Sequence, residues 1–313
     1  MSAGIAGESA IRNARTTYET LADSALAAQA EGGAWRMIGR RYDGTGDIEF
    51  QITNPGAAPR IKRWAGGKVY DGSRVLAKSV PFDKYDSSLE LKREKVVHDR
   101  LGTTAELLRR HANKQRRFID ELFFAKLNTN PTGLDGKALI ANDHPFGPAG
   151  AAWDNSHSTP LSFAAYKTAR ARLGARRDEA GSHLGLKADV IVVGTDQEQM
   201  ALEIAEASDR PVAVGTNSAM DGTASAATSI TNVWRGKIAV VIVAPELDSG
   251  KWLVGDSRFP HLLAAVIWRD PEVVISDAMN AEHRMDEDTF KYSVEGDMNF
   301  GGLESIAWEG KLS

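Results

Sequence analysis

One segment limits the possible folds more than any other. Across residues 99–127, Leu101, Ala105, Leu108, Ala112, Gln115, Ile119 and Leu122 recur at steps of three and four. That period belongs to an α-helix with one buried face. Arg109, Arg110, Lys114, Arg116 and Arg117 fall on its other faces. At 1.5 Å per residue the predicted helix is about 40 Å long, the build of a strut. Asn128-Thr129-Asn130-Pro131 ends it, since proline disfavours helix at the residue before it.

The chain before the strut is poor in core. Residues 1–34 carry a thin helical stripe, Tyr18, Leu21, Ala25 and Ala28, stopped by Gly32-Gly33. Such a stripe needs a partner surface; the alternative is a frayed terminus. From Trp35 to Leu91 short apolar runs alternate with turn signals, Asn54-Pro55-Gly56 and Ala65-Gly66-Gly67. Ile48-Glu49-Phe50-Gln51-Ile52 alternates as a strand does. This section reads as an extended two-stranded excursion. Hairpins are marginal alone, so the excursion is either a floppy insertion or lies on a neighbouring subunit. Alternation returns at Ser88-Leu89-Glu90-Leu91 before a charged run.

Beyond the strut lies a conventional α/β alternation. After the loop-like 145–160, Ser162 is placed to cap a helix bearing Phe163, Tyr166, Ala169 and Leu173. Ala188 to Val193 reads as a buried strand, then Thr195 or Asp196 as the cap of a second helix. Residues 215–229 are Ser/Thr/Ala/Gly-rich and predict a mobile loop. Ile238–Ala244 and Leu262–Trp268 are further buried runs, followed by Val273–Ile275. The tail alternates through Phe290, Tyr292 and Val294, then near Ile306 and Trp308.

Composition excludes several function classes. The chain has 313 residues, enough for a large core, and no cysteine, so disulfides, thiolate metal sites and cysteine nucleophiles are ruled out. Its net charge of −4 argues against a dedicated nucleic-acid binder. No apolar run is long enough to span a membrane, and MSAGIAGESA does not read as a secretory signal, so a cytoplasmic location is expected.

Candidate chemistry is sparse. Asp143, His144, Asp154 and His157 share one loop-rich stretch and could hold a divalent metal, but the HExxH spacing is absent. They are expected to be ordinary polar residues of a surface loop. Asp178-Glu179 and Asp286-Glu287-Asp288 are expected to be solvated acids rather than an acid/base pair. No phosphate loop, dinucleotide fingerprint or nucleophile elbow occurs. The expectation is a non-enzyme with no catalytic residue, metal or cofactor. The strut's cations are expected to form a polar face, with contact to nucleic acid as the alternative.

Four strings carry a resemblance: LELKREKVVHDRLG entering the strut, LDGKALIANDHP after it, LSFAAYKTARARLGARRDEAGSHLGLKADVIVVGTDQEQMALEIAEAS, and RDPEVVISDAMNAEHRMDEDTFKYSVEGDMNFG. In this order they resemble the major head (capsid) proteins of Mu-like tailed bacteriophages. The resemblance implies an α+β fold of the Hong Kong 97-like type. It implies an N-terminal arm over 1–39, an extended loop over 40–89, and a peripheral domain over 90–160 with its spine helix at 99–127. It places an axial domain at 161–269 and a return to the peripheral domain at 270–313. The implied function is self-assembly into an icosahedral shell of hexamers and pentamers around double-stranded DNA. Scaffold and portal proteins are the implied partners, with decoration proteins as a further implied class and no membrane. Scaffold and maturation protease are expected to be separate proteins. The product would be a virion capsid assembled in the host cytoplasm. Trp64, Ile48, Phe50 and Ile52 of the excursion are the expected intersubunit contacts. The alternatives are an encapsulin-like compartment shell of the same fold and a metal-dependent hydrolase centred on His144 and His157.

Overall fold

The computed structural model describes residues 2–46, 48–55, 75–98, 102–145, 151–212, 228–259, 261–276 and 289–312. The chain divides into two compact units, each assembled from three chain segments.

The first unit comprises Met1–Ile52, Lys78–Phe123 and Leu263–Gly301. Its sheet has the order β1-β10-β11-β4, with β1 (Gly39–Asp43), β4 (Lys84–Lys92), β10 (Leu263–Ser276) and β11 (Thr289–Gly302). β1 runs parallel to β10, and β4 antiparallel to β11 with Leu91 opposite Phe290 and Leu89 opposite Tyr292. The alternation expected at Phe290, Tyr292 and Val294 is real: every second residue there is buried. These side chains meet two helices, α1 (Ser2–Gly32) and α3 (Thr103–Lys114), in a core of Tyr18, Ala22, Leu91, Val96, Leu108, Ala112, Phe290 and Tyr292. Val96 comes from the short α2 (Arg93–Val97). The weak N-terminal stripe thus has the partner surface it needs. Its phase is Tyr18, Ala22, Ala25 and Gln29; Ala28, expected on it, is exposed.

The strut is not one uninterrupted helix. After Gly102 (φ +69°), α3 gives way to a 3-10 turn at Gln115–Arg117, then α4 (Phe118–Asn128). The cause is Gln115. Its backbone N–H turns to the Ala112 carbonyl, while its side-chain amide donates to the His111 carbonyl at 3.1 Å, the oxygen a regular helix would give to the backbone. Residues 99–101, the expected start, lie outside the described residues. Thr104, Leu108, Ala112, Gln115 and Ile119 are buried, and Ala105 is exposed, one position out of phase with them. Arg109, Arg110, Lys114, Arg116 and Arg117 are all exposed, as the wheel predicts.

The second unit comprises Thr53–Ala77, Phe124–Leu262 and Gly302–Ser313. Its sheet has the order β12-β9-β5-β8: β5 (Val190–Val193), β8 (Val240–Val243), β9 (Trp252–Gly255) and β12 (Trp308–Lys311). β5 is parallel to β8 and antiparallel to β9, and is buried throughout. α5 (Phe163–Ala175) packs on β12 and β9, and α6 (Glu198–Glu206) on β8 and β5. Ser162 caps α5 as expected, accepting from the Ala165 N–H at 3.1 Å. Neither Thr195 nor Asp196 caps α6; a 3-10 turn at Thr195–Gln197 comes first, and Asp196 accepts instead from Ser249 and the Gly250 N–H. Trp308 lies over Gly255, where a Cβ would come within 2.5 Å of the indole; only glycine leaves that space. β6 (Asp209–Val212) and β7 (Thr228–Thr231) pair separately, and the predicted loop between them lies outside the described residues up to 227.

Three boundaries depart from the expected division of the chain. Leu263–Trp268, assigned by sequence to the 161–269 section, belongs to the first unit, because β10 continues through Asp270-Pro271 to Ser276. Pro271 falls beyond the stretch of β10 paired with β1, so its missing N–H removes no bond from that ladder. Residues 302–313, expected to return with 270–301, join the second unit through β12. The excursion is shorter than 40–89. Its ribbon is β2 (Glu49–Pro55) with β3 (Val75–Pro81), while Gly39–Asp43 and Lys84–Leu89 are sheet strands of the first unit.

Candidate functional site

The segment after α4 is built around a tight turn. Gly136 takes φ +81°, and the Lys137 N–H donates to Asp135 Oδ1 at 3.0 Å. The other Asp135 oxygen faces His144 Nδ1 at 2.6 Å. His144 Nε2 faces Asn155 Oδ1 at 3.1 Å. That amide oxygen also accepts from the Ala141 N–H, and its NH2 donates to the Leu139 carbonyl, each at 2.8 Å. His144 stacks on Trp153, ring centres 4.1 Å apart, and the Arg176 guanidinium lies 4.2 Å from the Trp153 ring centre. His144 and Asn155 are fully buried, so they are not the surface-loop residues the sequence suggested. The composition of the loop misleads because the Asn155 side chain bonds the backbone of 139–141, which satisfies that backbone and lets His144 and Asn155 be buried in an otherwise polar segment.

A second polar cluster joins this loop to the chain's end. Glu309, fully buried on β12, pairs with Arg176 and faces His157 Nε2 at 2.9 Å. Arg172 Nη1 lies 3.6 Å from Glu309 and 3.2 Å from Asp154. Burial pushes the Arg176 pKa down, and the Glu309 charge opposes that shift. For Asp154, burial acts upward but is outweighed by the N–H and hydroxyl of Ser156 and by Arg172, so its carboxyl sits below the usual range. The backbone joins in: the His157 N–H donates to the Gly310 carbonyl, and the Gly310 N–H to the Asn155 carbonyl. The loop therefore covers the edge of the sheet at β12.

These contacts bear on the proposed chemistry. His144 presents both ring nitrogens to oxygen acceptors within the fold, leaving no lone pair toward an ion. His157 is turned to Glu309, and Asp143 is paired with Lys137. The four loop residues do not converge on a point, and among the described residues no group of three His, Asp or Glu side chains is arranged to hold a metal. Asp178 and Glu179 line a groove of about 220 Å³ whose walls include Leu186, Phe259, Leu303 and Ile306. Glu304 lines it too, its carboxyl pushed up by burial and by Asp135 and Glu179 nearby. Asp286-Glu287-Asp288 lies outside the described residues. No helix among the described residues is long and apolar enough to cross a membrane. Glu309, Arg176, Asp135 and Asn155 were not singled out from sequence; only the lone buried-strand glutamate in Trp308-Glu309-Gly310 hinted at one of them.

The four expected contact residues of the excursion have different positions. Ile48 is 79% exposed. Phe50 is half-buried, its ring 5.7 Å from that of Tyr42. Ile52 is buried in its own chain, near Val80 and Gly301, so its side chain is not presented outward. Trp64 lies outside the described residues.

A helix-covered sheet with a long helical segment across it, a two-stranded ribbon between β1 and β4, and a second α/β unit define the Hong Kong 97-like capsid fold. The phage capsid protein family matches residues 76–308, and the chain belongs to that family. No curated protein matches the sequence. Among solved structures, the capsid of a native GTA particle aligns with a TM-score of 0.52 and 11% identity over 89% of each chain. Microbacterium phage Oxtober96 aligns with a TM-score of 0.51 and 14% identity over 90% of each chain. The capsid of bacteriophage JBD30 aligns with a TM-score of 0.48 and 12% identity; the match covers 88% of this chain, which spans 63% of that one.

Proposed function

We propose that this capsid protein assembles into the icosahedral head shell of a Mu-like tailed phage, as hexamers and pentamers, and encloses double-stranded DNA. The family match over residues 76–308 carries the reading. The β2–β3 ribbon supports it. Ile48 and Val75 are 79% and 61% exposed, apolar surface that a neighbouring copy would cover. The Mu-like assignment rests on the strings around LDGKALIANDHP. Scaffold, portal and decoration proteins are the proposed partners, and the virion, built in the host cytoplasm, the proposed location. Asp135, His144, Asn155 and Glu309 then serve as a structural fastening for the shell subunit.

The purified chain tests this directly. Negative-stain microscopy is expected to show shells or capsomer rings, and hydrogen exchange to show Glu49–Pro81 protected in particles and open in free subunits. Small oligomers only, under every assembly condition tried, would overturn the reading. Shells that capture a protein cargo and never nucleic acid would favour the compartment alternative.

A further inference from the structure

We propose that the exposed basic face of α3 and its 3-10 turn meets the phosphate backbone of duplex DNA inside the shell; the inference rests on the capsid reading above. Residues 103–117 contain five Arg/Lys and one acid, Glu106, in a chain whose overall balance is 38 Lys+Arg to 42 Asp+Glu. A basic surface here is therefore not a by-product of composition. Its placement is one-sided. At about 100° per residue, Arg109, Arg110 and Lys114 of α3 span an arc of about 140°, and Arg116 and Arg117 of the 3-10 turn are exposed as well. Thr104, Leu108, Ala112, Gln115 and Ile119, all buried, fill the opposite arc. The apolar half is committed to α1 and the sheet, so the basic half faces away from the unit's own core.

The pairing within the face is incomplete. Glu106 holds both Arg109 and Arg110, which remain 60% and 77% exposed. Neither Lys114 nor Arg116 forms a salt bridge among the described residues. Four of the five cations are arginines, whose planar fork suits phosphate oxygens. Duplex DNA presents about one charge per 1.7 Å of axis, so even a short helix can meet several phosphates at once without reading sequence. An acidic protein surface is the rival occupant. Duplex fits better because the exposed side chains between the cations are polar, and Leu107, 43% exposed, is the exposed apolar anchor that α3 offers to a protein partner.

The test measures binding of the full-length, unassembled chain to a short random-sequence duplex across a salt series. The variants are Arg109→Ala/Lys114→Ala/Arg116→Ala and a matched control, Lys167→Ala/Arg235→Ala/Lys237→Ala, which removes exposed cations elsewhere. Wild type and control are expected to bind alike. The α3 variant is expected to bind at least ~10-fold more weakly at physiological salt, with a shallower salt dependence, by ~0.9 in slope for each phosphate that is no longer neutralised. Glu106→Gln, which releases two arginines, is expected to tighten binding. Equal losses in both triple variants, or none in either, would overturn the proposal. So would an α3 variant that binds duplex normally but no longer forms particles, which would make the face a contact between copies. Failure of the wild-type chain to form particles at all would instead count against the capsid reading.

Discussion

In the first unit, α1 and α3 cover the sheet with Tyr18, Ala22, Leu108 and Ala112 against Phe290 and Tyr292. The polar contacts within that covering join neutral groups, such as the Tyr18 hydroxyl on His111 Nδ1 at 2.8 Å and the Gln115 amide on the Ser87 hydroxyl at 3.2 Å. In the second unit, the loop over β12 is fastened by buried polar partners: Arg176 pairs with Glu309, His157 Nε2 faces the same carboxylate, and Asp135 faces His144 beside them. Apolar covering tolerates small shifts, because each contact is weak and non-directional. Ionic covering does not, since an unpartnered buried charge is far more costly than a paired one is helpful. The same chain thus uses one surface that yields gradually and one that fails at single residues.

The sharpest way to break this comparison is Glu309→Ala, which strands Arg176 and His157 together. A loss of about 3–5 kcal/mol is expected in denaturant unfolding of the subunit. A loss under about 1 kcal/mol would show that the cluster is not the fastening described. Next comes Leu108→Ala, expected to cost about 2–5 kcal/mol as a large-to-small change in a filled core. Arg109→Ala, on the opposite face, should stay within about 0.5 kcal/mol. Equal damage from the two would mean that the buried face of α3 is misassigned.

Acid should separate the units. Burial pushes the His111 imidazole below its ordinary 6.5, with Ser87 opposing and Lys114 adding to the shift. The folded ring takes up its proton less readily than the unfolded one. Its contribution is therefore full above 6.5 and is lost as pH falls through the lower folded value. In the second unit burial acts upward on Asp256, but hydrogen bonds from Arg258 and from the Arg258 and Lys187 N–H groups outweigh it and hold the carboxyl below its ordinary 3.8. That contribution is lost only on further acidification, below the carboxylate range. Hydrogen exchange against pH should show the first unit loosening first, and His111→Gln should remove that step. Loosening of the second unit first would contradict the assignment. The smallest effect on subunit stability is expected from Ile48→Asp, within about 0.5 kcal/mol, yet particle yield should drop, as it should for Trp64→Ala. Normal particles from both would remove these residues from the assembly surface.

Much of the architecture was legible because its signals are local. The Ser162 cap, the buried run at Val190–Val193 and the alternation of Phe290, Tyr292 and Val294 each arise from neighbouring residues on one element. The 3-10 turn was not, because it arises from where the Gln115 amide goes, and no period announces that. The polar clusters were misjudged for a similar reason. His144 and His157 were noticed, but their buried state depends on partners elsewhere: Glu309 lies 152 residues from His157 and 133 from Arg176.

Legible in the residues themselves were the buried and basic faces of the strut, the helix after Ser162, most strands and the order of features that resembles capsid proteins. Those are properties of spacing, which the backbone's fixed periods convert into faces. Packing of distant segments is what carries β10 on past Pro271, joins β12 to the second unit, buries Ile52 in its own chain and sets His144, Asn155 and Glu309 among polar partners. Each depends on which distant segment supplies the missing hydrogen bond or the covering apolar surface, and that choice is made by the packing of the whole chain.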